Sequence, residues 1–228
     1  MKKIIFSFIA VFLSVISVNA QSVEFHQSYG SDNRNAPYTA TRVIVSHFFT
    51  SKDEKMNLFT WNSFDRNATN TLLYTEHKLG NTNFYFHPEV RFDYWYGSNN
   101  SNAYDFKPMV GFSYLIAKNG LSIYLTPKIM MTYDNVNKWA DPNFQFSINT
   151  SYENDKFYYE GYVDASWYHS VNSEHDNGKV DLFYEQKAYY KLTDKLQIGG
   201  CVVSSVGNLG STNTDCFIQP YFSMKVNL

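Results

Sequence analysis

The chain has 228 residues and is close to electrically neutral, with 19 Lys and Arg against 21 Asp and Glu. Aromatic residues make up 18% of it, and charged residues also only 18%. The near-neutral charge argues against a nucleic-acid-binding protein, and the aromatic content argues against an intrinsically disordered chain. Two cysteines cannot form a disulfide-dense scaffold. After residue 20 no apolar run reaches the ~18 residues that a membrane-spanning helix needs.

The N-terminus, residues 1–20, has the pattern of a cleaved secretory signal peptide. Two lysines precede an apolar run over 4–16, and the compact residues of 18–20 precede a cut before Gln21. No cysteine follows this cut, which argues against a lipoprotein. We therefore expect one domain over 21–228.

The remaining chain alternates between apolar and polar residues with the period of a β-strand. In the segment 84–96, Phe84, Phe86 and Val90 fall on one face, whereas His87 and Glu89 fall on the other. A helix would spread this pattern around its circumference. In chain order, the alternation predicts strands over 22–29, 39–49, 56–65, 70–79, 84–96, 104–116, 121–133, 144–152, 157–168, 180–192, 196–205 and 216–228. Only in the early strands, where Arg42 and His47 disturb the pattern, does it leave the faces undecided.

The breaks between these segments alternate between short and long. The short breaks lie at 51–55, 79–83, 117–120, 153–156 and 193–195, and the long ones at 31–38, 65–70, 97–103, 134–143, 170–179 and 206–215. An outer-membrane barrel has this layout, with short periplasmic turns and longer extracellular loops. The sequence thus predicts an all-β fold, a transmembrane antiparallel β-barrel of twelve strands, in the outer membrane of a Gram-negative bacterium.

A secreted β-sandwich is the main alternative, because its strands also alternate. Sandwich strands are shorter, however, and their outer faces are polar. Here the apolar face carries Phe, Tyr and Leu over segments longer than the usual strand of about 5–6 residues. In lipid every backbone group must be paired, which for strands requires a closed barrel.

The polar register of these strands would line the interior, and it is rich in Tyr and in charges of both signs. Mixed charge suits a neutral or zwitterionic solute, or an interior locked by ion pairs, since a pore for ions of one sign carries a ring of one charge. Aromatic faces beside hydrogen-bonding groups could stack a base or a sugar ring. The candidate lumen and solute-binding residues are Tyr85, His87, Glu89, Arg91, Asp93, Asp105, Lys107, Tyr124, Lys128, Tyr158, Glu160, Tyr162, Asp164, Asp181, Glu185 and Lys187.

The layout resembles that of the nucleoside-specific outer-membrane channels. The strand TATRVIVSHFF (39–49) is followed by charged SKDEK and aromatic MNLFTWNSFD (56–65), then by TLLYTEHKLG (71–80) and FYFHPEVRFDYWYG (84–97). Asp65 ends the third strand and the fifth contains the proline of HPEVRF, as in that family. The resemblance implies a monomeric twelve-stranded barrel with a narrow, keyhole-shaped lumen. It also implies passage of nucleosides near Arg91, Asp93, Tyr124, Lys128, Tyr158 and Glu160.

Passive diffusion of small hydrophilic solutes, with nucleosides as the leading candidate, is therefore the expected function. The expected partners are outer-membrane lipid and the solute, with no nucleic acid, metal or cofactor. Two alternatives stay open: a plugged structural or adhesion barrel, because side chains can fill a small barrel, and a lipid-modifying enzyme using His169 and Ser170, although no catalytic motif surrounds them. A disulfide between Cys201 and Cys216 is also left undecided, because a two-residue alternation places the two cysteines on opposite faces.

Overall fold

The computed structural model describes residues 22–31, 37–50, 54–63, 68–95, 103–134, 138–139, 142–167, 180–209 and 215–228. The predicted signal peptide lies outside these residues. Within them the regular structure consists of strands, and no helix is long and apolar enough to cross a membrane. The strands are β1 (Ser22–Ser31), β2 (Pro37–Thr50), β3 (Glu54–Ser63), β4 (Ala68–Lys78), β5 (Phe84–Trp95), β6 (Ala103–Lys118), β7 (Leu121–Met130), β8 (Tyr133–Asp134), β9 (Lys138–Trp139), β10 (Asn143–Glu153), β11 (Phe157–Trp167), β12 (Val180–Lys191), β13 (Leu196–Leu209) and β14 (Asp215–Asn227).

All of these strands belong to one antiparallel sheet. Its order is β5-β4-β3-β2-β1-β14-β13-β12-β11-β10-β7-β6, with the two-residue strands β8 and β9 attached to β6. β5 also pairs with β6, from Phe84↔Tyr114 to Trp95↔Ala103, so the order of pairing returns to the strand at which it began. The first and last strands pair with each other through Ser22↔Asn227 and the rungs that follow. The prediction of an all-β antiparallel fold is confirmed.

Short connections join the strands at one end of the sheet. The tightest is the two-residue turn between β6 and β7, where Asn119 and Gly120 both have positive φ angles, of 50° and 81°. An Asn-Gly pair is favoured in such a turn because its backbone twist matches that of the flanking strands. The connections at 79–83, 154–156 and 192–195 lie at the same end of the sheet.

The two faces of the sheet differ sharply in chemistry. The apolar face is exposed and carries large hydrophobic side chains such as Phe112 (53% exposed), Ile129 (55%) and Phe222 (61%). The polar face is buried and carries charged and hydroxyl side chains such as Asp93 and Ser147, both 0% exposed. This is the inverse of a soluble domain, in which apolar side chains form the interior. Val23 and Val43 depart from the pattern, because they are buried although they share the register of the apolar face.

Prolines interrupt the pairing ladder on the apolar face. Pro88 stands where the β4–β5 pairing skips two rungs, and Pro127 where the β6–β7 pairing does. Pro108 lies opposite Met131, the residue just after the end of β7, and the ladder resumes in the same register at Tyr133 of β8. Proline has no N–H to donate to a ladder. The predicted strand 121–133 is therefore divided between β7 and β8, and Met131 keeps one bond by donating its N–H to the Pro108 carbonyl (3.1 Å).

Candidate functional site

The polar face gathers the candidate functional groups, and all sixteen predicted lumen residues lie in its register. On β5 these are the odd-numbered residues from Tyr85 to Asp93, and the register carries through Asp105 and Lys107 of β6 to Lys128 of β7. It continues through the even-numbered residues of β11 and the odd-numbered ones of β12. The pairing also decides the uncertain strand β2, because Arg42 pairs with His26 on the polar face whereas His47 takes the other register.

One charged group forms where β4, β5 and β6 lie side by side. Asp93 accepts hydrogen bonds from Arg91 Nε (2.8 Å), Lys107 Nζ (3.0 Å) and Asn70 Nδ2 (2.6 Å). Lys107 also contacts Asp105 at 3.1 Å. Asp93 is thus a fully buried anion held between two cations.

A second charged group joins two strands that are not neighbours in the sheet. Lys128 of β7 donates to Glu89 Oε2 of β5 at 2.7 Å, passing over β6. Glu89 also bonds His87 Nε2 at 3.0 Å, and the other ring nitrogen of His87 lies 3.6 Å from Glu76. Glu76 belongs to β4, where the sequence alternation was too weak to assign it to the lining.

On the polar face of β11, carboxylates are bonded to hydroxyl groups. Asp164 accepts hydrogen bonds from Ser147 of β10 and from Tyr162. Tyr158 donates its hydroxyl to Glu160 at 2.7 Å. The bonds made by Tyr158 and Tyr162 orient these two rings along the wall, because each hydroxyl is fixed to a carboxylate two residues away.

Glu24 of β1, which the sequence alternation did not assign to the lining, has four partners. It accepts hydrogen bonds from Lys187 (2.9 Å) and from the hydroxyl of Tyr189 (3.2 Å), and it pairs with Lys225 at 3.1 Å and His26 at 3.2 Å. The alternation of SVEFHQS places Ser22, Glu24, His26 and Ser28 on one face, so a signal was present. It was obscured by Gln27 on the other face and by the disturbed neighbouring strand.

Arg42 of β2 forms another long-range pair, donating Nη2 to Glu185 Oε2 of β12 at 2.8 Å. Its guanidinium also lies over the ring of Tyr221, 5.5 Å from the centroid. Glu185 is 3.1 Å from Lys187, which joins this pair to the Glu24 group.

Aromatic rings form pairs along both walls of the polar face. Tyr85 and Tyr124 lie with centroids 6.3 Å apart, and Tyr162 and Phe183 lie 6.1 Å apart. Lys225 Nζ sits 4.5 Å over the ring of Tyr158. Flat apolar surfaces thus alternate with ion pairs, an arrangement that can hold a ring bearing polar substituents.

The charged side chains of the polar face differ in how much surface they expose. Arg91 is 34% exposed, Glu160 32%, Asp105 22% and Lys107 20%. These four side chains, two of each sign, are more exposed than Lys128 and Glu89, which are 2% and 5% exposed.

His26 lies between Ser223 (2.7 Å) and Glu24 (3.2 Å), an order that resembles a catalytic triad. Ser223 has no exposed surface, so a substrate carbonyl cannot reach its hydroxyl. Within the described strands and turns, His, Cys, Asp and Glu form no group of three or more that could hold a metal ion. His169 and Ser170 lie outside the described residues.

Cys201 is a buried free thiol opposite Tyr221, whereas Cys216 pairs with Val206 five rungs away. A disulfide requires Cα atoms within about 7 Å of each other, which this register does not provide. The sequence left this disulfide undecided, and the pairing register excludes it.

The fold is shared with two solved porins. The structure matches "KdgM porin in complex with disordered oligogalacturonate" at 11% identity with a TM-score of 0.53, covering 91% of this chain and 99% of that one. It matches a structure of the NanC porin at 12% identity with a TM-score of 0.57, covering 90% and 99%. No protein-family model matches the sequence, and no curated protein matches it either. The chain therefore has a porin fold, and the nucleoside-specific family is not shown.

Proposed function

We propose that this protein is an outer-membrane channel through which small hydrophilic solutes diffuse passively. The observation that carries the proposal is the circular order of pairing, with an exposed apolar face and a buried face of ionised side chains. Such a sheet pairs its backbone groups and turns its apolar face to lipid, which makes it a closed barrel of twelve membrane-spanning strands. The porin fold supports this function without identifying the solute.

Aromatic pairs on the apolar face support the placement in a membrane. Phe84–Tyr114 and Phe157–Tyr190 lie near the short turns, with centroids 4.8 and 5.4 Å apart. Phe144–Trp167 lies at the other end, at 5.4 Å. The eleven residues from Phe157 to Trp167, tilted as barrel strands are, span about 24 Å along the membrane normal, close to the ~25 Å apolar band of outer-membrane barrels.

The exposed charges favour an uncharged or dipolar solute. Arg91 and Lys107 are balanced by Asp105 and Glu160, so the half-exposed groups carry no excess of either sign. An anionic oligosaccharide such as the oligogalacturonate of the KdgM structure would require a surplus of cations. A nucleoside is neutral and carries a flat base with several hydrogen-bonding groups, so it remains the solute we propose to test first.

The leader at 1–20 would direct export, with the mature chain starting at Gln21 and acting as a monomer. Intact mass of protein extracted from membranes tests the cut, and light scattering in detergent tests the monomer.

A plugged structural barrel is the second candidate function, because the Glu24 group is almost entirely buried.

Conductance in a planar lipid bilayer separates these candidates. The purified protein should give discrete channel steps, and nucleosides added to one side should reduce the current in a concentration-dependent way. A current that nucleosides do not change but that another neutral solute reduces would support the channel and contradict the proposal of a nucleoside as its solute. Absence of current from protein that shows a heat-modifiable gel band would support the plugged barrel.

A further inference from the structure

Four charged side chains form one connected group across the β12–β1–β2 side of the interior. Glu24 contacts Lys187 at 2.9 Å, Lys187 contacts Glu185 at 3.1 Å, and Glu185 contacts Arg42 at 2.8 Å. We call Glu24, Arg42, Glu185 and Lys187 the crossed network, because it joins strands that are not neighbours.

The span of the Arg42–Glu185 contact shows that the side chains of the crossed network project from the sheet into the interior. Three strands, β1, β14 and β13, separate β2 from β12. Four inter-strand spacings correspond to about 19 Å along a flat sheet, more than an arginine and a glutamate can bridge together. The sheet must therefore curve around the polar face, and the two side chains meet inside that curve.

β13 and β14 lie between the strands that supply the crossed network. Their polar face carries small residues such as Cys201 beside larger ones such as Val203 and Tyr221, which pack against Cys201. Cys201 pairs with Lys187 of β12 and with Tyr221 of β14, and it is only 2% exposed. Arg42 lies over the ring of Tyr221, so the crossed network extends over the part of the wall that contains Cys201.

The side chains of the crossed network are less exposed than Arg91 and Lys107 on the β5–β6 wall. Glu24, Lys187, Arg42 and Glu185 are between 3% and 11% exposed, whereas Arg91 is 34% exposed and Lys107 20%. Ion pairs that are almost fully buried hold their geometry, because breaking one leaves an uncompensated charge.

We infer that the crossed network is a fixed constriction that closes the β12–β1–β2 side of the lumen and confines solutes to the side lined by Arg91, Lys107 and Asp105. It thereby sets the size limit of the channel, while the exposed wall contacts the solute. This inference rests on the proposed channel function. Its molecular prediction, that the crossed network covers Cys201, can be tested without any current.

Labelling of Cys201 gives that test, in a Cys216→Ser background so that one thiol remains. A hydrophilic maleimide should label Cys201 slowly in this parent, and at least about tenfold faster once R42A/E185A removes the cover, because thiol reactivity follows exposure. The matched control is K191A/E153A, which removes an exposed ion pair of 2.6 Å near the short turns and should leave labelling unchanged. The exchanged pair R42E/E185R should return labelling toward the slow parental rate.

Bilayer recordings of the same variants complete the test. R42A/E185A should raise single-channel conductance about twofold and admit larger neutral sugars, because a wider constriction excludes less. A heat-modifiable gel band verifies folding. Should the double alanine variant lack that band, R42K/E185D shortens both side chains while keeping both charges, and should give intermediate labelling.

Unchanged labelling in a folded R42A/E185A would overturn the inference, and so would faster labelling with unchanged conductance in a conducting parent. If neither the parent nor the variant conducts, the proposed function fails, whereas the labelling still decides whether the crossed network covers the wall.

Discussion

Lys128 reaches Glu89 across a glycine. The two side chains meet at 2.7 Å from β7 and β5, and Gly111 is the residue of the intervening strand β6 that pairs with Lys128. A Cβ atom at Gly111 would lie 2.2 Å from the carbonyl oxygen of Pro127 and 2.9 Å from Cγ of Lys128. The missing side chain therefore allows both the backbone approach of the two strands and the path of the lysine.

Gly111→Ala should destabilise the folded protein by about 1–3 kcal/mol, because the backbone and Lys128 must both shift to accept the methyl group. The matched control is Gly200→Ala, whose Cβ would meet only the Tyr221 carbonyl at an ordinary 3.5 Å. We expect that control to remain within about 0.5 kcal/mol of the parent. Guanidinium titration in detergent, followed by tryptophan fluorescence, measures both, and equal midpoints for the two variants would contradict the packing argument.

Lys128→Met should destabilise the protein by about 3 kcal/mol or more, because Glu89 would keep its charge in a buried site without its nearest cation. The side chains of Lys128 and Glu89 are only 2% and 5% exposed. Adding Glu89→Gln to Lys128→Met should recover part of the loss, since no uncompensated carboxylate remains at that site.

The same denaturant titration measures this pair, and the exposed pair Lys191 and Glu153 supplies the comparison. Lys191→Met should cost no more than about 1 kcal/mol, because exposed ion pairs contribute little. If Lys128→Met were as mild as Lys191→Met, water would reach Glu89, contrary to the burial of these two side chains.

Val110→Lys tests whether the apolar face contacts lipid. Val110 is 45% exposed near the middle of β6, and Leu192, in a short connection, is 50% exposed. In water both lysine substitutions would be nearly neutral. In a bilayer Val110→Lys should cost about 2–4 kcal/mol, whereas Leu192→Lys, outside the strands, should cost at most about 1 kcal/mol.

Refolding into lipid vesicles across a urea series measures both substitutions. A Val110→Lys protein that folds as well as Leu192→Lys in vesicles would contradict the assignment of this face to lipid.

From β5 onward, alternation along the sequence was sufficient to predict which residues share the polar face, because a strand has only two faces. Asp93 and Lys107 could even be expected to be near each other, since they lie on consecutive strands. The partners of Glu24 and Arg42 could not be predicted, because contacts with β12 depend on how the whole sheet closes. The contacts among the buried charged side chains thus follow from the circular order of pairing, which a local sequence pattern does not contain.

The short strands β8 and β9 illustrate a second limit. They lie within a segment that the sequence assigned partly to a long loop at 134–143, because Asn, Asp and Pro dominate it. The pairing Tyr133↔Trp139 nevertheless adds a small ladder beside β6, to which β8 is paired. Tertiary contacts override local composition at such positions.

Ion selectivity tests whether the partly exposed charges of Arg91 and Glu160 line the path of the solute. Arg91→Gln should make the channel about twofold more selective for cations, and Glu160→Gln should shift it toward anions by a similar factor, because each removes one charge from the lining. Reversal potentials in a potassium chloride gradient measure both shifts. Lys118→Gln is the matched control, because Lys118 is exposed at the turn end of β6 in the register of the apolar face, and its loss should not move the reversal potential. Shifts of the same sign for Arg91→Gln and Glu160→Gln would show that ions do not pass between these two walls, and the solute path would have to lie elsewhere in the interior.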